Sequence, residues 1–242
     1  TQTDDITVAA GKTETISQSV DVANPKLWSV DSPNLYWVRT EIIQNGKVVD
    51  RTDSRFGIRY IATNPNSGFY LNGVHTKLNG VCEHSDLGSL GMETYQAAVD
   101  RRIRTLKKYG VNAIRTSHNP VSPEFIEACD RLGMLVFEEA FDQWLYSKNS
   151  DDYHNYFNKA ADGKTVVFDK AGNDNTNNDT SYIEVKREDL QSNAERDIKA
   201  MVDRDKNAPC IFAWSTGNEI YDARYKHGEN TLDMLTGWVR KK

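Results

Sequence analysis

Four short runs of polar residues in this chain have the side chains to do chemistry. They are Cys82-Glu83-His84-Ser85-Asp86, Arg115-Thr116-Ser117-His118-Asn119, Glu138-Glu139 with Asp142 and Trp144, and Trp214-Ser215-Thr216-Gly217-Asn218-Glu219. Metal-assisted hydrolysis needs His and carboxylate ligands at fixed spacing. The chain has neither an HxH pair nor HExxH, so no metal and no cofactor is expected. A serine nucleophile would sit in a GxSxG elbow, which "WSTG" around Ser215 does not match. "GSLG" at 88–91 has the wrong spacing for a phosphate loop. Carboxylates accompanied by Arg, His, Asn and Trp remain, a set suited to a polyhydroxylated ring. Glycoside hydrolysis uses two carboxyl groups. One protonates the departing oxygen, and in retaining enzymes the other attacks the anomeric carbon from about 5–5.5 Å across the site.

Such groups must be positioned by rigid elements, and each run follows a strand-like segment. The candidate strands are "HTKLNGVC" from Thr76, "VNAIRT" from Val111, "MLVFEEA" from Met134 and "CIFAWS" from Cys210. Helical spacing lies between them. Tyr95, Ala98, Val99, Ile103, Leu106 and Tyr109 share one face, and Gly110 ends that helix. Ser122, Pro123 and Gly133 cap, start and end a second helix. The spacing of Ile183, Leu190, Ile198, Met201 and Val202 predicts a long helix over 182–207, and a last helix begins at Thr231. Strands alternating with helices predict a parallel α/β fold. In a (β/α)₈ barrel the C-terminal strand ends, where these runs fall, line the active site.

The stretch from Ile6 to Ile61 has a different texture. Ile16, Val20 and Val22 alternate with polar residues, and Asn45-Gly46 between two β-rich runs predicts a hairpin. This small antiparallel module is shorter than a full sandwich of about 100 residues. Residues 151–180 are rich in Asn, Asp and Gly and read as a surface insertion carrying an Asn178-Asp179-Thr180 sequon.

The 242 residues carry a net charge of -5 and no basic stripe, which argues against nucleic acid as a partner. No window approaches the roughly 18 apolar residues of a membrane helix, so no membrane partner is expected. The N-terminus shows no signal peptide. Cys82, Cys129 and Cys210 are too few and too scattered for a disulfide framework.

The segments "FGIRYI", "FYLNGVHTKLNGVCEHSDLGSLG", "GVNAIRTSHNPVSPEFIEACDRLGMLVFEEAFDQW" and "RDKNAPCIFAWSTGNEI" resemble, in register from Pro25 to Ile220, glycoside hydrolase family 2 and bacterial β-galactosidases in particular. The resemblance implies a multi-domain protein. A partial immunoglobulin-like β-sandwich would cover 1–62. A (β/α)₈ TIM barrel, truncated after about four βα units and carrying the 151–180 insertion, would cover 63–242. It also implies retaining hydrolysis of a terminal β-linked sugar, with a β-galactoside or related oligosaccharide as the partner. β-Glucuronidase, β-mannosidase, galacturonidase and a non-catalytic carbohydrate-binding fragment are the alternatives.

Within that resemblance "WSxGNE" makes Glu219 the acid/base and gives Asn218 the sugar 2-hydroxyl. "RTSHNP" makes Arg115 and His118 supports for the catalytic carboxylates and the sugar. His84 would bind the sugar or orient the acid/base, and Glu139, Asp142 and Trp144 would form the pocket rim or floor. Some β-galactosidases hold magnesium with a Glu-x-His pair, and here Trp144 replaces that His. The family's nucleophile is a Glu on a later barrel strand, expected beyond Lys242. The chain is therefore expected to be an internal, inactive piece of a homo-oligomeric enzyme of the bacterial cytoplasm or periplasm. Glu219 is expected to be buried beside a second carboxylate.

Overall fold

The computed structural model describes residues 3–148, 153–170 and 182–241. Strands β1 (Tyr36–Gln44) and β2 (Lys47–Phe56) form the hairpin that Asn45-Gly46 predicts. Both turn residues take positive φ, 52° and 74°, as a two-residue hairpin turn requires. Most residues of both strands are exposed. The alternation around Ile16, Val20 and Val22 makes no strand: described residues up to 27 contain none, and these three side chains are exposed. A period-two pattern becomes a strand only when a neighbouring edge takes its N–H and C=O groups, and among the described residues no strand pairs with this segment. The expected sandwich is thus represented by a hairpin. Beyond it lies a second small sheet, of β3 (Ile61–Asn64), β4 (Gly68–Leu71) and β5 (Val74–His75) in that order.

The N-terminal β part is anchored to the α/β part of the chain. Trp28 is fully buried in one apolar cluster with Ile103, Ile114, Met134 and Leu135, and its Nε1–H donates to Asp130 O at 2.8 Å. The Arg55 guanidinium donates to the Asp130 carboxylate at 3.0 Å. Arg59 Nε donates to Pro209 O at 2.7 Å, and its Nη2 to Ile211 O.

The remaining elements are β6 (Gly80–His84), α1 (Gln96–Lys108), β7 (Ala113–Ser117), α2 (Pro123–Leu132), β8 (Leu135–Glu139), α3 (Tyr153–Asn158), β9 (Phe168–Lys170), β10 (Tyr182–Glu184), α4 (Asn193–Asp205), β11 (Ile211–Ser215) and α5 (Lys226–Arg240). Strands β6, β7, β8 and β11 form one four-stranded parallel sheet in chain order, with β6 and β11 at its edges. That order is what successive βα units of a barrel produce.

Local sequence explains the helix ends. Ser122 Oγ accepts from Phe125 N at 3.3 Å to start α2. Gly133 ends it in the left-handed region at φ 74°, and a Cβ there would lie 2.3 Å from Val30 O. Helix α1 starts at Gln96, and Tyr95 and Tyr109 point outward, so its buried face is narrower than the spacing predicts.

Two expectations are corrected. The long helix over 182–207 begins only at Asn193, where Ser192 Oγ accepts from Glu195 N at 3.1 Å. Before that cap, Tyr182–Glu184 pairs antiparallel with Phe168–Lys170, and Ile183 is exposed. The insertion is also not all surface. Phe157, Ala160, Val166, Val167 and Phe168 are buried in a second apolar cluster with Phe141, Leu145, Ile198 and Leu235. Its few apolar residues cover α4 and α5, while the 178–180 sequon lies outside the described residues.

Candidate active site

Neighbouring strand ends converge on one carboxylate. Successive side chains on a strand point to opposite faces, so Glu138 and Glu139 on β8 part company. Glu139, with no exposed surface, meets Arg115 from β7 and Ser215 from β11. Arg115 Nε and Nη2 donate to Glu139 Oε2 at 3.1 and 2.7 Å, and Ser215 Oγ donates to the same oxygen at 2.6 Å. His118 Nδ1 lies 2.6 Å from Glu139 Oε1. The Glu139 backbone N–H donates to Thr116 Oγ1 at 2.9 Å. A buried carboxylate is tolerated when surrounded by donors in this way. Burial acts to lower the Arg115 pKa, but the hydrogen bond and charge of Glu139 outweigh it and raise the group. His84 packs edge-to-face on His118 with ring centres 5.3 Å apart.

A second arm runs outward from Arg115. Its Nη2 donates to Asn218 Oδ1 at 2.8 Å, and Asn218 Nδ2 donates to Asp142 Oδ1 at 2.9 Å. Lys148 Nζ donates to the same Asp142 oxygen at 2.8 Å and lies 3.5 Å from Glu219 Oε2. Burial pushes the Asp142 carboxyl up, yet the hydrogen bonds from Lys148 and Asn218 prevail and hold it below its ordinary value. The Asn218 amide is therefore fixed at both its oxygen and its nitrogen.

Among the described residues the charged neighbour of Glu219 is Lys148, and the Glu219 side chain is 77% exposed. Its backbone takes φ 46°, a left-handed conformation that costs a non-glycine residue about 1–3 kcal/mol and that proteins concentrate at functional sites. Trp144, expected at the pocket rim or floor, lies beneath the 216–219 turn. It is 4% exposed, its Nε1–H donates to Thr216 O at 2.7 Å, and it packs in the second apolar cluster. The indole supports the 216–219 turn from below and presents no open face to a sugar. Gly217 makes this possible, because a Cβ there would fall 2.7 Å from Trp144 Nε1 and 2.5 Å from Ile220 Cδ1.

Glu138 faces the helical layer. Arg204 Nη2 donates to its Oε1 at 3.2 Å. Burial and the charge of Asp205 push this carboxyl up to about 8 against the pull of Arg204. Lys148 escapes sequence reasoning, and Thr116 and Ser215, although in the polar runs, are given no role there. The strand-end position of Ser215 and its period-two phase with Ala213 are signals for it, whereas the loop holding Lys148 has no periodic pattern. Among the described residues no group of three or more His, Cys, Asp or Glu side chains is placed to hold a metal ion.

Residues 63–241 match the family described as Glycosyl hydrolases family 2, TIM barrel domain, and residues 1–59 match Glycosyl hydrolases family 2. The beta-galactosidase BoGH2A of Bacteroides ovatus is 37% identical over 225 residues, covering 93% of this chain and 23% of that protein. A putative beta-glucuronidase of Formosa agariphila is 37% identical over 205 residues, covering 85% of this chain and 17% of that protein. The crystal structure of a glycosyl hydrolase family 2 member from Bacteroides cellulosilyticus aligns with a TM-score of 0.74 at 38% identity, covering 90% of this chain and 24% of that one. The chain thus spans less than a quarter of the length of each.

Proposed function

Because the chain belongs to glycosyl hydrolase family 2, we propose that it supplies the acid/base side of a retaining active site for terminal β-linked sugars, with β-galactosides as the substrate class. The observation that carries this reading is the pinned Asn218 beside Glu219 at the end of β11. An amide nitrogen has two hydrogens. One Nδ2 hydrogen serves Asp142, and the other is the donor proposed for the sugar 2-hydroxyl. That contact strengthens in the transition state. Glu219, the next residue, protonates the departing oxygen and later accepts a proton from water. His84 and His118 form the adjoining wall.

The attacking carboxylate is proposed to come from a barrel strand outside these 242 residues. Glu139 is sealed in by Arg115, His118 and Ser215, and Asp142 is engaged by Lys148 and Asn218. Neither is left to attack.

The two cations closest to Asn218 and Glu219 support a neutral sugar. Arg115 is engaged by Glu139, and Lys148 bridges Asp142 and Glu219. Neither is aimed at a carboxylate on the substrate. The likeness to a putative beta-glucuronidase at 37% identity supports a second reading, a uronide recognised through residues elsewhere in the longer protein. Aryl β-galactoside, β-glucuronide and β-mannoside assayed with the full-length enzyme separate these readings, with the product anomer followed by NMR. Turnover of the galactoside with retention supports the proposal. Preference for the glucuronide, or inversion, overturns it.

A further inference from the structure

We propose that Lys148 is a positioning residue for the Glu219 carboxyl, an inference that rests on the reading of Glu219 as the acid/base. Glu219 stands on a left-handed backbone, and among the described residues its charged neighbour is Lys148. Left to rotate, such a carboxyl would spend little time in line with a departing oxygen. General acid catalysis depends on that alignment before it depends on proton affinity.

Lys148 restricts that freedom. Its own side chain is only 17% exposed, although lysine is a residue type seldom buried without a partner. Its Nζ lies between two carboxylates, 2.8 Å from Asp142 Oδ1 and 3.5 Å from Glu219 Oε2. The surrounding loop is closed by the Lys148 backbone N–H, which donates to Gln143 Oε1 at 2.7 Å. Asp142 Oδ1 also accepts from Asn218. One ammonium thus ties together the anchor of Asn218 and the carboxyl of Glu219, the group proposed for the 2-hydroxyl and the group proposed for the leaving oxygen. It also offsets the repulsion between the two carboxylates it bridges, Asp142 after β8 and Glu219 after β11. Lysine suits this task because its ammonium is a compact charge with three donors.

The test uses the full-length enzyme, with K148M, K148R and E219Q assayed on aryl β-galactosides from activated to poor leaving groups. K148M is expected to lower kcat/KM about 100-fold for poor leaving groups, the scale of a misplaced catalytic group. It should change activated substrates, which need little protonation, by less than about threefold. K148R is expected to recover most of the loss by restoring the cation. Circular dichroism and melting check that each variant is folded. If K148M does not fold, K148R and K148Q are compared instead. Losses equal across all leaving groups, or no loss, overturn the inference. E219Q separates this from the parent reading: a leaving-group dependence in E219Q without one in K148M rejects only the role of Lys148. Absence of that dependence in E219Q rejects the acid/base reading, and this inference with it.

Discussion

Arg115 reaches across from β7 to grip Glu139 of β8 with two of its nitrogens, and with one of them it also holds Asn218. The guanidinium fork therefore couples a sealed carboxylate under the sheet's C-terminal end to the amide that faces the proposed sugar site. Arg115 is thereby tied both to a buried carboxylate of the fold and to the amide proposed to meet the sugar.

R115A in the full-length enzyme is expected to lower kcat about 100-fold or more, since Asn218 loses its fixed orientation. It should also destabilise the protein. Removing one partner of a buried pair costs about 3–5 kcal/mol, and the 30% exposure of the Arg115 side chain argues for the lower end. Because lysine lacks the fork, R115K should recover little. Unchanged melting in R115A would show that Glu139 does not depend on this pairing.

Glu138 gives a pH signature of the opposite face. Its folded-state carboxyl titrates near 8, against about 4.3 in an unfolded chain. Between those values the folded state holds a proton that the unfolded state lacks, so stability falls as pH rises through that window. The thermal midpoint is expected to drop between about pH 5 and about pH 8, and E138Q should reduce that drop. Equal drops in both proteins would assign the effect to other groups.

At Gly217 an added methyl group has no room beside Trp144 Nε1 and Ile220 Cδ1. G217A should displace the turn that carries Asn218 and Glu219. Overpacking of this kind costs about 1–3 kcal/mol of stability, and misplacement of the catalytic groups costs about 100-fold in kcat/KM. Steady-state kinetics alongside melting check both. Wild-type kinetics would mean that Trp144 and Ile220 yield to the methyl.

Much of the sheet and its polar ends was legible in the sequence because barrel logic is local. A short apolar run leading into Arg115 or into Asn218-Glu219 is a strand end whichever way the chain then turns. Lys148 was not legible, since a loop residue reaches its partners through a path that no periodicity records. The sequence leaves Trp144 at rim or floor, since an aromatic near a sugar pocket serves as either, and its burial and bond to Thr216 O put it beneath the turn. Ile183 and Leu190 lie seven residues apart and imitate a helical face. The Ser192 cap and the pairing of Tyr182–Glu184 with Phe168–Lys170 override that imitation. The pattern around Ile16 shows the converse case, a strand period that no described residue pairs with.

Trp28 has a consequence for how members of this family can be recombined. Its indole belongs by sequence to the N-terminal part, yet it fills a slot among Ile103, Ile114 and Met134 and closes on Asp130 O. A crossover placed at residue 62 would carry the plug away with one parent and leave the socket with the other. The two parts are exchangeable between relatives only as a matched pair, or where both parents keep an indole at this depth.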